Sequence, residues 1–175
     1  MIHHKYWHVN KNLLIYVVED NKLFNKIVVD YLQKQGFRRI KFFYNGQDCL
    51  NAVKSGEHPD IVIQDYHLED STGIAVLQAV KKRSKCSEFI FLTANEDMEV
   101  AVNSIKYGAF DYIIKDNDLA LKKVYNKIEK ISKMLELEKR NQLIQRMMVV
   151  ILIVLVTITI LMVLHGVFDL FGLKR

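Results

Sequence analysis

The sequence predicts an α/β fold in which a five-stranded parallel sheet is covered by helices on both faces. Short apolar runs alternate with amphipathic stretches from residue 13 to about residue 118, the pattern of strands alternating with helices. The runs are continuously apolar, as strands buried on both faces require. Half of the 175 residues are hydrophobic and one is proline, which excludes collagen-like and broadly disordered chains. Two cysteines are too few for a disulfide scaffold.

The first half of this region alternates three predicted strands with two predicted helices. The run LLIYVV at 13–18 predicts the first strand. A helix that ends at Gly36 is predicted from apolar residues at i, i+3, i+4, i+7 spacing: Phe24, Ile27, Val28 and Tyr31. A strand follows at 40–44, then a short helix at 48–56, then a strand at 60–64.

The second half continues the alternation. Two more apolar runs predict strands at 88–92 and 111–115. The third helix is predicted from the spacing of three apolar residues, Ile74, Leu77 and Val80. The fourth helix, which ends before Gly108, is predicted in the same way from Met98, Val102 and Ile105. A further helix begins near Asp118.

Polar residues end four of the predicted strands. They are Glu19 and Asp20 after the first, Asp65 after the third, Thr93 after the fourth and Lys115 after the fifth. The carboxyl ends of parallel strands form the usual site of such sheets. Three acids repel one another unless a cation offsets them, and oxygen ligands suit Mg²⁺. Taken singly, each residue also fits a helix cap, a turn or the surface.

This set of residues is able to support phosphoryl transfer. A carboxylate beside a hard metal ion can attack a phosphoryl group. A hydroxyl and an ammonium then stabilise the charge on the transferred oxygens. The predicted chemistry therefore needs all the strand-end groups together. If these residues were independent helix caps, they would not need to supply complementary chemical groups.

From about residue 12 to residue 118 the chain resembles a response-regulator receiver domain of two-component signalling. Thr93 and Lys115 are 22 positions apart and Tyr112 lies three before the lysine, as in that family. The residues that carry the resemblance are Glu19, Asp20, Asp65 in PDIVIQDYHL, Gly73, Thr93 with Ala94, and Tyr112 and Lys115 in GAFDYIIK.

The resemblance implies a doubly wound, flavodoxin-like sheet of order 2-1-3-4-5. It implies that Asp65 is the phosphoacceptor, taking a phosphoryl group from the phosphohistidine of a sensor histidine kinase or a phosphotransfer protein. It also implies a bound Mg²⁺ (or Mn²⁺) held by Glu19, Asp20, Asp65 and the backbone carbonyl of His67. The protein would then be a phosphoacceptor signalling protein and not an enzyme.

The resemblance implies further roles around the phosphoacceptor. Lys115 would contact the phosphoryl group, Thr93 would shift to hydrogen-bond it, and Tyr112 would change rotamer as the switch aromatic. In the family, side chains two residues after the phosphoacceptor and after the switch threonine tune the lifetime of the phosphorylated state. Those positions are His67 and Asn95 here.

Two departures from the family pattern leave alternatives open. Family members usually carry proline directly after the lysine and four residues after the phosphoacceptor, where this chain has Asp116 and Glu69. A phosphorylation-independent, receiver-like interaction scaffold at the membrane is therefore the second hypothesis. An aspartate-nucleophile phosphatase is the third, although such enzymes typically carry a second acid where this chain has His67.

The C-terminal part of the sequence predicts a membrane anchor. Residues 147–164 carry no formal charge over 18 residues, a length of about 27 Å as a helix, close to the roughly 30 Å hydrocarbon core. We assign the transmembrane helix to 147–168 and a short tail to 169–175. A buried core helix or an oligomer seam is the alternative.

Positive charge is concentrated in the residues just before this predicted transmembrane helix. Residues 1–118 hold 15 basic and 16 acidic residues, a net of −1, whereas 119–146 hold 8 and 3, a net of +5. A nearly neutral charge over residues 1–118 is not typical of a protein that binds nucleic acid. The positive-inside rule predicts a single-pass protein of the inner (cytoplasmic) membrane with its receiver domain facing the cytoplasm.

The predicted domains are an N-terminal extension (1–11), the receiver domain (12–130) and a basic juxtamembrane helical linker (131–146). No second globular domain fits into residues 119–175. One set of apolar residues has the 3, 4, 3, 4 spacing of a heptad seam: Leu121, Val124, Ile128, Ile131 and Leu135. They fit either a last helix packed on the sheet or a short parallel coiled coil that would form a homodimer.

Overall fold

The computed structural model describes residues 9–94, 96–115 and 119–170, and the side chains of 168–170 lie outside this description. The chain divides into two compact units, Met1–Lys133 and Met134–Arg175. Asn95 and Asp116, both named above, lie outside the described residues.

The first unit alternates strands and helices along the chain. Its strands are β1 (Leu14–Val18), β2 (Arg39–Phe43), β3 (Ile61–Gln64), β4 (His67–Leu68), β5 (Ser71–Thr72), β6 (Glu88–Thr93) and β7 (Asp111–Ile114). Its helices are α1 (Lys22–Lys34), α2 (Gly46–Lys54), α3 (Gly73–Arg83), α4 (Met98–Lys106) and the beginning of α5 (Leu119–Leu170).

Five strands form a parallel sheet of order β2-β1-β3-β6-β7, so the predicted five-stranded parallel α/β fold is confirmed. The predicted order 2-1-3-4-5 differs from this numbering because β4 and β5 form a separate antiparallel pair before the fourth sheet strand. Strands of two residues leave no periodicity in a sequence, and the sequence therefore contains no signal for this hairpin.

Burial of the central strands explains their continuous apolar sequences. Every residue of β1 and β3 is buried, and β6 is buried from Phe89 onward. Strand β2 lies at the edge of the sheet and exposes three of its five residues. The edge strand carries Arg39 and Lys41, charges that discourage pairing with another chain.

The covered faces of two helices differ from the predicted ones. In α4 all three apolar residues that predicted the helix (Met98, Val102 and Ile105) are exposed, and its one buried residue is Ser104. In α1 Ile27 is exposed, and the buried positions are Asn25, Val28, Val29 and Leu32. Apolar spacing predicts that a helix has an apolar face, but not which face a neighbouring element covers.

Helix ends follow the predicted glycines, with one shift in register. Gly36 and Gly108 have φ values of 90° and 99°, a left-handed conformation that favours glycine after a helix. Helix α2 begins at Gly46, two residues earlier than predicted, because the Asn45 side chain caps it by accepting a hydrogen bond of 2.7 Å from the Asp48 N–H.

Three of the five heptad-spaced residues at the start of α5 are part of the core of the first unit. Val124, Ile128 and Ile131 are fully buried. This burial supports packing of the last helix within the domain over that stretch. A homodimeric coiled coil stays a prediction.

The second unit is helical from residue 134 to residue 170. Among the described residues one helix, Leu119–Val167, is long and apolar enough to cross a membrane, and the mean hydropathy of its most apolar 18-residue window is 3.2. Length and apolarity by themselves do not locate a helix in a membrane, so the span stays a prediction.

The two cysteines differ in accessibility, and we expect them to differ in reactivity. Cys49 is buried, and burial raises the pKa of its thiol to about 12, whereas Cys86 is exposed. Because the thiolate is the reactive form, Ellman's reagent at pH 8 should titrate one thiol in the native chain and both in guanidinium chloride. In the Cys86→Ser variant the native signal should disappear. Rapid reaction of Cys49 in that variant would contradict the packing of α2.

Candidate functional site

The four strand ends bring the predicted polar residues to one edge of the sheet. The Asp65 N–H donates a hydrogen bond of 3.0 Å to the Val18 carbonyl, and the Lys115 N–H donates one of 2.8 Å to the Thr93 carbonyl. These bonds extend the β1–β3 and β6–β7 ladders past the ends of the strands. The backbone of the site is therefore held by the sheet itself.

Three carboxylates meet at this edge. One oxygen from each of Glu19, Asp20 and Asp65 lies within 4.8 Å of the others. Glu19 is buried, and the other two are half-buried. Like charges this close destabilise the ionised forms unless positive charge is near.

Lys115 supplies that charge. Its Nζ lies 2.6 Å from Glu19 Oε2 and 2.6 Å from Asp65 Oδ2, with the ammonium also 4.4 Å from the centroid of the Phe24 ring. Its side chain is 12 % exposed, so both ion pairs are only weakly screened by water. One ammonium against three ionised carboxylates leaves the group two charges short of neutrality.

The donor set fits a hard divalent cation. All three side chains offer oxygen atoms. The two negative charges that Lys115 leaves uncompensated would be balanced by one Mg²⁺. Burial raises the pKa of Glu19, an effect that its ion pair with Lys115 opposes and that Asp65 and Asp20 reinforce. A bound cation would favour the ionised form of this buried acid.

His67 lies beside the predicted phosphoacceptor. Its backbone N–H is 3.3 Å from Asp65 Oδ1, and its ring packs at 5.0 Å from that of Tyr66. Its backbone carbonyl as a metal ligand and its side chain as a lifetime-tuning group stay predictions.

Thr93 and Tyr112 form a linked pair next to the acids. Thr93 is buried, and its side chain interacts with that of Tyr112. Burial raises the pKa of Tyr112 to about 12, with further contributions from Tyr66, Asp65 and Asp97. A movement of the Thr93 hydroxyl towards Asp65 would therefore change the surroundings of the Tyr112 side chain.

Gly73 is required by the close approach of two backbone segments. Its N–H donates a 2.7 Å hydrogen bond to the Tyr66 carbonyl. A Cβ at this position would lie 2.5 Å from Phe91 and 3.0 Å from the Asp65 carbonyl. Glycine therefore allows the β3–α3 connection to close over the end of β3.

Two features of the site have no counterpart in the sequence predictions. Gln64, directly before Asp65, is buried, and neither polar atom of its side chain has a hydrogen-bond partner among the described residues. The Glu69 N–H, at the turn between β4 and β5, donates a 3.2 Å hydrogen bond to Asp20 Oδ2. Gln64 lies within the segment PDIVIQDYHL and Glu69 stands where the family usually carries proline, but the sequence pattern assigns neither residue a contact at the site.

Comparison with known proteins gives one consistent result. The family model for the response regulator receiver domain matches residues 15–128. The chain is 35% identical over 106 residues to the regulatory protein LuxO of Vibrio cholerae, covering 59% of this chain and 23% of LuxO. It is 30% identical over 106 residues to the DNA-binding transcriptional regulator NtrC of Escherichia coli, covering 61% and 22% respectively. The chain thus spans about a quarter of the length of these relatives.

Solved structures show the same fold. A BeF3-activated DrrB receiver domain matches with a TM-score of 0.58 and 31% identity, covering 67% of this chain and 98% of that one. The signal receiver domain of a putative LuxO repressor from Vibrio parahaemolyticus matches with a TM-score of 0.66 and 23% identity, covering 73% and 95%.

We expect Lys115→Met to destabilise the chain at neutral pH. Removing the ammonium leaves partly buried carboxylates unpaired, a change that costs about 3 kcal/mol of unfolding free energy. Added Mg²⁺ should restore part of the loss by replacing the missing charge. Urea denaturation of the full-length chain in detergent, with and without Mg²⁺, measures both effects.

Lys127→Met is the matched control, since Lys127 pairs with Asp111 at the surface. A partly exposed pair of this kind contributes about 1 kcal/mol or less. Equal losses in the two variants, or no response of Lys115→Met to Mg²⁺, would contradict the role of Lys115 as the counter-charge of the acids.

Proposed function

The chain belongs to the response-regulator receiver family of two-component signalling, and on that premise we propose that Asp65 accepts a phosphoryl group while the C-terminal helix tethers the domain to a membrane. A receiver domain is a phosphoacceptor signalling domain and not a classical enzyme. The observation that carries the assignment is the position of Lys115, 2.6 Å from an oxygen of Asp65 within a group of three carboxylates.

The proposed donor is a phosphohistidine on a sensor histidine kinase or a phosphotransfer protein. A carboxylate oxygen of Asp65 attacks phosphorus, an O–P bond forms and the N–P bond breaks. The electron pair of that bond stays on the imidazole nitrogen, which takes a proton from solvent. Lys115, whose Nζ is 2.6 Å from Asp65 Oδ2, would stabilise negative charge on the phosphoryl oxygens.

Mg²⁺ would be held by Glu19, Asp20 and Asp65, and when bound it would supply positive charge that offsets the approach of the anionic phosphoryl group. Without such an offset, the three carboxylates would repel the incoming phosphate. Lys115 alone compensates one of these charges. The acids and the lysine thus have separate roles, the first in holding the cation and the second in contacting the phosphoryl group.

The proposed output is a change in the surface around Tyr112 and α4. If Thr93 turns to bond the phosphoryl group, its interaction with Tyr112 changes, and Tyr112 would be free to change rotamer. The exposed apolar residues of α4, among them Met98 and Val102, would then present a different binding surface. Partner binding at the membrane would follow the phosphorylation state.

The proposed tether is the helical segment 147–168, which would make this a single-pass protein of the cytoplasmic membrane. Its two hydroxyl side chains are satisfied within the helix, because Thr157 donates to the Val154 carbonyl and Thr159 to the Val156 carbonyl, each at 2.8 Å. The excess of basic residues in 119–146 supports a cytoplasmic receiver domain. Tethering raises the local concentration of the domain near membrane-bound kinases.

Phosphoryl transfer is tested by labelling. The full-length chain in detergent should be phosphorylated by acetyl phosphate or by a purified cognate kinase only when Mg²⁺ is present. Asp65→Asn should remove the label, because the carboxamide is not a nucleophile towards phosphorus. Phosphate-affinity electrophoresis measures the labelled fraction.

Asp48→Asn serves as the control, since it removes an exposed acid that lies on the first turn of α2. It should label like the parent chain. Persistent labelling of Asp65→Asn would overturn the assignment of the phosphoacceptor, and absence of labelling in the parent would favour the phosphorylation-independent scaffold.

Membrane attachment is tested by fractionation. The full-length chain should sediment with membranes and resist extraction by sodium carbonate. Val154→Asp combined with Val156→Asp should release it, because each carboxylate near the centre of a span costs roughly 3 kcal/mol. Val154→Leu combined with Val156→Leu should stay in the membrane fraction. Recovery of the parent chain in the soluble fraction would contradict the tether.

A further inference from the structure

The hairpin formed by β4 and β5 joins the acid cluster to the beginning of α2. At one end, the backbone N–H of Glu69 donates to Asp20 Oδ2 at 3.2 Å. At the other, the carboxylate of Asp70 accepts hydrogen bonds from the N–H groups of Gly46 and Gln47, at 2.9 and 2.8 Å. Adjacent residues of one turn thus contact a proposed metal ligand and a helix terminus.

The attachment to α2 is close and specific. Asp70 satisfies two of the N–H groups that the first turn of a helix leaves without partners, and its charge is favourable at that end of the helix dipole. Burial alone would raise the pKa of Asp70, but the two backbone hydrogen bonds lower it, so the group is ionised at neutral pH. A Cβ on Gly46 would lie 2.4 Å from Ser71 Oγ, and the hairpin is therefore seated directly on the helix backbone.

The hairpin itself is held in one register. His67 pairs with Thr72 and Leu68 pairs with Ser71, while the Leu68 side chain is buried in the core. The turn between the two strands consists of Glu69 and Asp70 alone. A displacement of Asp70 from α2 therefore displaces the Glu69 N–H from Asp20.

We propose that Asp70 is a positioning residue for the metal site: by anchoring the turn on the first N–H groups of α2, it keeps the Glu69 N–H directed at Asp20 and fixes the orientation of that carboxylate for Mg²⁺. The proposal rests on the proposed Mg²⁺ site of Glu19, Asp20 and Asp65. By linkage, Mg²⁺ binding at Asp20 also acts on the beginning of α2.

The structure offers a matched pair of variants for the test. Asp70 and Asp48 both place a carboxylate at the beginning of α2, but Asp48 bonds to Asn45 within the same turn and belongs to the helix, not to the hairpin. Asp70→Ala and Asp48→Ala therefore remove the same charge from the same helix end. Only Asp70→Ala frees the hairpin.

Isothermal titration of the full-length chain in detergent with MgCl₂ measures the affinity. Asp70→Ala should weaken Mg²⁺ binding about tenfold, the order of loss seen when outer-sphere partners of metal ligands are removed. Asp48→Ala should bind within twofold of the parent. If Asp70→Ala fails to fold, Asp70→Asn keeps one acceptor oxygen and should show an intermediate loss.

Amide NMR gives a readout independent of phosphorylation. The Gly46 and Gln47 resonances should shift when Mg²⁺ is added to the parent chain and should not respond in Asp70→Ala. Equal Mg²⁺ affinities in the parent and both Asp70 variants would overturn the proposal and leave Asp70 as a helix cap. A parent chain with no Asp20→Asn-sensitive Mg²⁺ binding would instead overturn the metal site, and the positioning role with it.

Discussion

The site depends on the balance between three carboxylates and one ammonium at the edge of the sheet. Lys115 contacts Glu19 and Asp65 at the same 2.6 Å distance, in surroundings that exclude most water. The pairing stabilises the acids but leaves two negative charges uncompensated, and this set of oxygen ligands fits a divalent cation. In the proposed function the same lysine, 2.6 Å from Asp65 Oδ2, would contact a phosphoryl group on that residue. One side chain would thus pair with the acids before phosphorylation and with the phosphoryl oxygens after it.

Two sets of contacts connect this site to other parts of the domain. On one side the Thr93 side chain interacts with that of Tyr112, on strand β7, which packs against α4. On the other side Asp20 accepts a hydrogen bond from the hairpin turn, which Asp70 attaches to α2. In the proposed function the first route would start from the oxygens of a phosphoryl group, and the second from Asp20 as a metal ligand. Phosphorylation and metal binding would then act on different surfaces of the same domain.

The limits of helical periodicity are visible in α1 and α4. The spacing of Met98, Val102 and Ile105 predicts a helix, and a helix is present, but these side chains face outward. In α1 the covered stripe includes Asn25, whose side-chain amide donates to the carbonyls of Glu19 and Phe43 and so ties the helix to the ends of two strands. A polar residue that serves the core through backbone contacts is invisible to a search for apolar spacing.

The sequence by itself determined the succession of strands and helices, the polar residues that end the strands and the apolar C-terminal segment, because each depends on neighbours a few positions away. Only the tertiary structure decided which helix faces are covered, where the β4–β5 hairpin forms and how Asp70 reaches Gly46, since that contact joins residues 24 positions apart. It also placed the side-chain amide of Gln64, which has no hydrogen-bond partner among the described residues, in the buried end of β3. The local sequence pattern determines where helices and strands form. Long-range packing and hydrogen bonding determine which helix faces are covered and which elements contact one another.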